Sequence, residues 1–216
     1  MSETKKFDVE RLIEQLEKVD RVIKWVKAIV YKDIKLKKLK QGIDTDVYDE
    51  DRLLAKKAQL MEQTEMHQYL PLSEMKMRLM ILDDLLTEHR NIAFGKKNSD
   101  EKRLESATLC EEYNTEHKQV TQKYQEAVMQ IEPDFPPQLR GIYAKVAEGT
   151  NIATARDALR TFGKMQNGKM SLNQAANHGL DYEERRGAPT GMFDFMLEGT
   201  RMRNGKVSKK YKKLQK

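Results

Sequence analysis

Apolar residues recur every three or four positions through most of residues 7–131, which is the spacing of one face of an α-helix. In residues 7–41 the intervals alternate regularly between three and four, as in a heptad seam: Val9, Leu12, Leu16, Val19, Ile23, Val26 and Val30. Trp25 and Ile29 widen this stripe beyond a two-position seam. The pattern predicts one long helix, ended by Gly42 in a left-handed cap, that packs against more than one neighbour.

Capping and breaking residues divide the next stretch into two further helices. Thr45 or Asp46 is suited to cap a second helix that runs to about Gln68, because a short polar side chain can accept a hydrogen bond from the first helical turn. Pro71 is expected to break that helix, and Ser73 to cap the third one.

The third helix is expected to stop at Gly95, and Ser99 is expected to cap a fourth helix that runs to about Ile131. Four helices joined by short loops favour antiparallel neighbours. The sequence therefore predicts an all-α fold, in which an elongated antiparallel bundle of coiled-coil hairpins is followed by a smaller region of short helices and a basic tail.

A proline cluster at positions 133, 136 and 137 marks the predicted domain boundary, since residues that precede proline disfavour helix. We assign residues 1–132 to the long-helix bundle, 138–200 to the short helices and 201–216 to a disordered basic tail. Within the middle region Asn151 and Ser171 are predicted helix caps, and Gly179 is the predicted end of the helix that Ser171 begins.

Positive charge is concentrated in the C-terminal third of the chain. The 216 residues carry a net charge of +6, with 24 basic and 27 acidic residues in 1–137 but 16 basic and 7 acidic residues in 138–216. Residues 201–216 alone contain eight Lys or Arg and no acidic residue. Such a segment has little to bury and attracts polyanions, of which nucleic acid is the commonest.

The candidate nucleic-acid-binding residues are the cations of this C-terminal region and one tyrosine among them. Phosphate contacts carry no base specificity, and the tyrosine ring adds the possibility of stacking on a base. The predicted binding residues are Arg185, Arg186, Arg201, Arg203, Lys206, Lys209, Lys210, Tyr211, Lys212, Lys213 and Lys216.

A second group of lysines follows the seam of the first helix, at positions 24, 27, 32, 35, 37, 38 and 40. Cations near the C-terminal end of a helix complement its dipole, so part of this run has a structural explanation.

Catalytic and metal chemistry receive little support from the sequence. The segment Gly163–Lys169 matches G-x-x-x-x-G-K, but a phosphate loop needs a preceding strand and a Ser or Thr after its lysine, where this chain has Met170. We interpret Gly163 instead as a helix cap followed by an Asn-Gly turn. The four histidines and the single cysteine, Cys110, lack metal-ligand spacing, so we expect no metal, no cofactor and no enzymatic activity.

No apolar run approaches the roughly 20 residues of a membrane span, and the N-terminus has no apolar signal core. We expect a soluble intracellular protein, cytoplasmic or nuclear.

The predicted function is assembly through coiled-coil seams, with itself or a protein partner, together with nucleic-acid binding through the basic C-terminal region. The alternative is a scaffold or adaptor subunit whose tail binds an acidic protein surface. DNA or RNA, the partner and the oligomeric state stay open.

Overall fold

A computed structural model describes residues 7–43 and 49–186, and this part of the chain is helical throughout its regular structure. It contains seven α-helices and two short 3-10 helices, and no β-strand. The α-helices are α1 (Val9–Lys40), α2 (Glu50–Met61), α3 (Leu70–Phe94), α4 (Asp100–Met129), α5 (Arg140–Ala147), α6 (Ile152–Gln166) and α7 (Leu172–Arg186). The 3-10 helices are His67–Tyr69 and Pro137–Leu139. The all-α prediction is therefore confirmed, whereas the coiled-coil detail and the basic tail stay predictions.

The described residues form two compact units, and α1 contributes to both of them. The first unit takes α1 up to Arg21 together with the described residues from Glu132 onward, and the second unit spans Val22–Ile131. One apolar stripe of α1 serves both units, since its residues are buried in each: Leu12, Leu16, Val19, Val22, Val26 and Val30.

The first unit is closely packed because α6 and α7 present small side chains to its core. Ala155, Ala158 and Ala175 are fully buried beside larger residues such as Leu159 and Tyr143. A Cβ atom added at Gly163 of α6 would lie 2.6 Å from Cγ2 of Val9, so only glycine lets the two helices approach this closely without a shift. The rings of Phe7 and Phe162, with centroids 6.2 Å apart, cover the same end of α6.

Ion pairs join α1 to α6 within the first unit. The Arg156 guanidinium donates to the Glu17 carboxylate from both Nε (2.9 Å) and Nη2 (2.6 Å). Arg160 lies 3.6 Å from Glu10 one turn further along α6. Because acidic residues of α1 meet arginines of α6, the two helices are matched in charge as well as in shape.

In the second unit α2 packs beside α1. The indole Nε1 of Trp25 donates a 2.8 Å hydrogen bond to the Leu60 carbonyl, and Lys57 forms an ion pair with Asp33. These contacts fix α2 against the buried face of α1, where Ile29 is 2% exposed.

The α3 and α4 helices run antiparallel, as their side-chain pairs show. Near the connecting loop, Arg103 Nε donates to the Ala93 carbonyl at 3.1 Å, and further along Arg78 donates two 2.7 Å hydrogen bonds to Glu116. Leu79, Leu82 and Leu86 bury the inner face of α3. The turn between the two helices is held by Asn98, whose Nδ2 donates to the Ile92 carbonyl at 2.9 Å.

Several predicted helix ends are confirmed. Gly42 has φ +70°, and the amide of Ile43 donates to the Lys38 carbonyl, as in a left-handed C-terminal cap. Ser99 and Asn151 accept hydrogen bonds from Lys102 N and Ala153 N. Ser171 and Gln174 exchange hydrogen bonds reciprocally, which is a capping box at the start of α7.

Other predicted ends are wrong, and the reasons are physical. Pro71 does not separate two helices but occupies the first turn of α3, where its missing N–H costs nothing, and the Ser73 hydroxyl donates back to the Leu70 carbonyl instead of capping. The second helix ends at Met61, seven residues before the predicted Gln68, and its cap is Asp49. The proposed caps Thr45 and Asp46 lie outside the described residues.

The predicted stops at Gly163 and Gly179 are also wrong, because both glycines lie inside helices. Both glycines are buried, and at Gly163 tertiary packing explains the residue, because an added Cβ atom would meet Val9. The Asn-Gly turn itself is confirmed, since α6 ends at Gln166 and Gly168 has φ +68°. The helix that begins at Leu172 therefore continues past Gly179 to Arg186.

Candidate nucleic-acid interface

The structure places only two of the eleven predicted binding residues. Arg185 is exposed in the last turn of α7, and Arg186 is the final residue of that helix. The remaining nine lie outside the described residues: Arg201, Arg203, Lys206, Lys209, Lys210, Tyr211, Lys212, Lys213 and Lys216.

A different basic surface is described in full, on the second half of α1. Five residues lie on one side of this helix at successive intervals of three, four, four and three residues: Lys24, Lys27, Tyr31, Lys35 and Lys38. At 3.6 residues per turn these positions form a straight row. Trp25, Ile29 and Val30 are buried on the other side, so the row faces away from the packed stripe. We call these five residues the lysine face.

The charge around the lysine face is strongly one-sided. Residues 22–43 contain seven lysines and a single acidic residue, Asp33. Asp33 forms an ion pair with Lys57 of α2, which neutralises that carboxylate within the second unit. Lys27, Lys37, Lys38 and Lys40 are exposed. A polyanion that approaches this side of α1 therefore meets an excess of positive charge.

Tyr31 lies at the centre of the lysine face, and its side chain is 44% exposed. The Nζ atoms of Lys32 and Lys35 lie 5.1 Å and 5.9 Å from the ring centroid, within the range of a cation–π interaction. The two ammonium groups therefore lie over an aromatic ring that is partly exposed to solvent. This combination of cations and one exposed aromatic surface suits a ligand that has both phosphates and planar bases.

The helix dipole explains only part of this lysine run. Its influence falls off within the last turn of a helix, which contains Lys37, Lys38 and Lys40. Lys24, Lys27 and Lys32 lie 8 to 16 residues before Lys40, which is about two to four and a half turns from the end of the helix. Lys24 and Lys27 belong instead to the three- and four-residue spacing of the lysine face, on the side of α1 opposite the buried stripe.

Polar groups between α3 and α4 include a row of a carboxylate, an imidazole and a hydroxyl. Oδ1 of Asp83 lies 3.2 Å from Nε2 of His117, and Nδ1 of His117 lies 3.4 Å from Oγ1 of Thr121. Acyl transfer by such a row requires an oxyanion hole of available donors. Backbone amides in the middle of α4 donate along the helix, and the row of side chains joins α3 to α4.

A pair joined by two hydrogen bonds between these helices is Arg78 with Glu116. The two hydrogen bonds from the guanidinium lower the pKa of the Glu116 carboxyl below its ordinary value, and the same bonds raise the pKa of Arg78. Nearby, burial raises the pKa of the Tyr124 hydroxyl, and Lys76 Nζ lies 5.9 Å from the Tyr124 ring centroid. These groups lie between α3 and α4 and stabilise the pairing of the two helices.

Within residues 7–43 and 49–186, no three His, Cys, Asp or Glu side chains come close enough together to hold a metal ion. Cys110 is buried in α4. The segment that matches G-x-x-x-x-G-K begins inside α6, so a helix stands where a phosphate loop has a strand.

Of the helices in the described part of the chain, none combines the length and apolar character needed to cross a membrane. Comparisons of the sequence and fold with protein-family models, curated proteins and solved structures find no match.

Proposed function

We propose that this chain is a non-enzymatic helical protein that binds nucleic acid through its basic C-terminal region and assembles through helical contacts. The observation that carries the proposal is the composition of residues 201–216, with eight basic and no acidic side chains. Salt-dependent attraction to phosphates requires only this charge excess, and contacts to phosphates do not specify a base sequence.

The described residues support the same class of ligand. Arg185 exposes a cation at the end of α7, which leads toward the basic segment in sequence. The lysine face adds a second cationic surface in the second unit. Two separate excesses of positive charge in one chain favour a polyanionic partner over a small anion.

The assembly part of the proposal is supported by exposed apolar side chains at one end of the α3–α4 pair. Phe94 is 82% exposed and Leu104 is 71% exposed, the highest values among large apolar side chains in the described residues. They lie at the same end, because Arg103 bonds to the Ala93 carbonyl. The apolar stripe of α1, in contrast, is already buried within the chain. We therefore propose that a second copy of the chain contacts Phe94 and Leu104.

The proposal is tested by nucleic-acid binding with and without residues 201–216. Fluorescence anisotropy with a labelled duplex and a labelled single strand gives the affinity at several salt concentrations. With about six phosphate contacts, the slope of log affinity against log salt is expected to be roughly −4 to −5. Truncation at Thr200 is expected to weaken binding to both probes. A salt-independent affinity, or an unchanged affinity after truncation, would contradict the proposal.

The alternative is an adaptor whose basic segment binds an acidic protein surface. The same truncation distinguishes it when a polyglutamate peptide replaces the nucleic acid. Tighter binding to polyglutamate than to nucleic acid of equal charge favours the adaptor.

Light scattering during size-exclusion chromatography tests assembly. We expect the double substitution Phe94→Ser/Leu104→Ser to shift an oligomer toward the monomer.

A further inference from the structure

We propose that the lysine face of α1 is a binding site for single-stranded nucleic acid, in which Tyr31 stacks on an unpaired base. The proposal rests on the proposed function for the class of ligand. It assigns that ligand to a different unit and to residues that the C-terminal charge pattern does not include.

The length of the lysine face fits a short strand. Lys24 and Lys38 are fourteen residues apart on one continuous helix, which places their backbones about 21 Å apart. At about 3.4 Å per nucleotide, the spacing of a strand whose bases are stacked as in a duplex, this length corresponds to about six phosphates, and a more extended strand places fewer phosphates along it. Four lysines of the row and the adjacent Lys32 thus lie along a length that one short strand can follow.

The site is rigid because the opposite side of α1 is packed. Val26 and Val30 are buried one turn apart, and Trp25 is fixed by its hydrogen bond to the Leu60 carbonyl. The helix therefore cannot turn about its axis without exposing this apolar stripe. Lysine side chains remain adjustable, but their points of attachment are set before a ligand arrives, which reduces the ordering cost of binding.

Tyr31 is the residue that distinguishes a single strand from a duplex. A duplex offers the lysines its phosphates, but its bases are stacked on each other and are not available to a tyrosine on the surface of a helix. An unpaired base can lie on the exposed part of the Tyr31 ring while neighbouring phosphates contact Lys27 and Lys35. An acidic protein segment would use the lysines and would gain little from the ring.

The test uses the full chain and three probes: a labelled thymidine oligonucleotide of about twelve residues, matching the site-size range of single-strand binders, the corresponding duplex, and polyglutamate. Tyr31→Leu removes the aromatic ring but keeps an apolar side chain, and Tyr31→Phe restores the ring. Lys27→Glu/Lys38→Glu reverses two exposed cations of the lysine face. Lys118→Glu/Lys123→Glu, on exposed positions of α4 in the same unit, is the control with the same change in net charge.

We expect Tyr31→Leu to weaken binding of the single strand at least about fivefold, and Tyr31→Phe to restore it, because stacking on an aromatic ring is lost and regained. Duplex binding should change little in either variant. Lys27→Glu/Lys38→Glu should weaken single-strand binding more than the α4 control does. It should also reduce the magnitude of the salt slope by about 1.4, the value for two lost phosphate contacts.

The chain contains one tryptophan, Trp25, which is buried on the side of α1 opposite the lysine face. Its emission spectrum reports whether each variant keeps the second unit folded, so a loss of binding without a spectral change is assigned to the surface. Equal single-strand affinity of the Tyr31→Leu and Tyr31→Phe variants would overturn the proposal, and so would an effect of the lysine-face reversal no larger than that of the α4 control. Binding of polyglutamate that is as sensitive to Lys27 and Lys38 as nucleic-acid binding would overturn it too, and would assign the surface to an acidic protein.

Failure of this inference can be distinguished from failure of the proposed function. If truncation at Thr200 abolishes binding and the lysine-face variants bind normally, the C-terminal proposal stands and the inference falls. If the truncated chain still binds a single strand in a Tyr31-dependent manner, the inference stands. A full chain that binds none of the nucleic-acid probes at low salt contradicts both.

Discussion

The two halves of α1 bury the same kind of apolar stripe but expose opposite chemistry. Residues 9–21 contain four acidic and three basic side chains, whereas residues 22–40 contain one acidic and seven basic side chains. In the first half, Glu10 and Glu17 face arginines of α6. In the second half the outer side is the lysine face.

This difference shows that packing within the chain dictates the residues on one side of a helix and leaves the composition of the other side open. Burial requires apolar residues every three or four positions, and both halves supply them. The outer positions of the first half are matched to a neighbouring helix of the same chain. Those of the second half hold an excess of one charge, which is the condition for attracting a ligand from outside.

The largest expected effect tests whether the two halves contribute equally to stability. Leu16→Ala in the first half and Ile29→Ala in the second each remove a nearly fully buried side chain. Each should lower the free energy of unfolding by about 2–5 kcal/mol, because transfer energy is lost and a cavity remains. Urea denaturation followed by far-UV circular dichroism measures this change. Substitution of the exposed Arg11 by Ala is the control, with an expected effect within about 0.5 kcal/mol.

A smaller effect is expected at the close approach of α1 and α6. Gly163→Ala gains about 1 kcal/mol of helix propensity but forces a Cβ atom against Val9, which costs about 1–3 kcal/mol. We expect net destabilisation of about 1 kcal/mol, the difference between these terms. In a Val9→Ala background the clash is removed, so Gly163→Ala should become neutral or stabilising. Additive effects of the two substitutions would contradict the packing explanation.

Removing charge from the outer side should affect stability in the first half and hardly at all in the second. Glu17→Gln weakens the pair with Arg156, whose side chains are both partly exposed, and should cost less than about 1 kcal/mol. Lys27→Gln, at an exposed position of the lysine face, should leave the urea midpoint unchanged. Equal destabilisation by the two substitutions would contradict the view that exposed charges stabilise the fold in the first half of α1 but not in the second.

The smallest effect concerns the pH dependence of the second unit. The pKa of Glu116 is lower in the folded chain because Arg78 donates hydrogen bonds to its carboxylate. The folded chain therefore releases this proton more readily than the unfolded chain, so the stabilisation is complete above the ordinary glutamate pKa and is lost as the pH falls through the lowered value. The difference in urea midpoint between the native chain and Glu116→Gln should thus shrink with decreasing pH. A difference that grows on acidification would contradict this assignment.

Most of the helices could be predicted from local sequence patterns. A heptad stripe and a polar capping residue specify a helix largely independently of the rest of the chain. The caps at Gly42, Ser99 and Asn151 are examples, since each satisfies backbone groups within its own turn. The errors at Pro71 and Gly163 have the opposite origin. Proline occurs both in the first turn of a helix and between helices, and glycine occurs both at helix ends and at close contacts inside helices. The residues that surround them in the folded chain determine which of these positions they occupy.

The candidate binding residues differ in how far the sequence indicates them. The C-terminal cations follow from charge alone, and nine of the eleven predicted residues lie outside the described residues. The lysine face stands out in the sequence only as a basic run, which the helix dipole partly explains. Which side of α1 is buried, and how much of Tyr31 is exposed, depend on the packed neighbours of that helix.

The sequence by itself determined that this chain forms long amphipathic helices and that its positive charge is unevenly distributed, because periodicity and charge are properties of the order of residues. Only the tertiary structure decided that α1 serves two units, that Gly163 admits the close approach of Val9, and that one row of lysines and Tyr31 faces outward. A stripe of apolar residues indicates that a helix must pack against a neighbour. Which residues contact that stripe depends on packing between segments that are far apart in the chain, and a local sequence pattern does not contain this information.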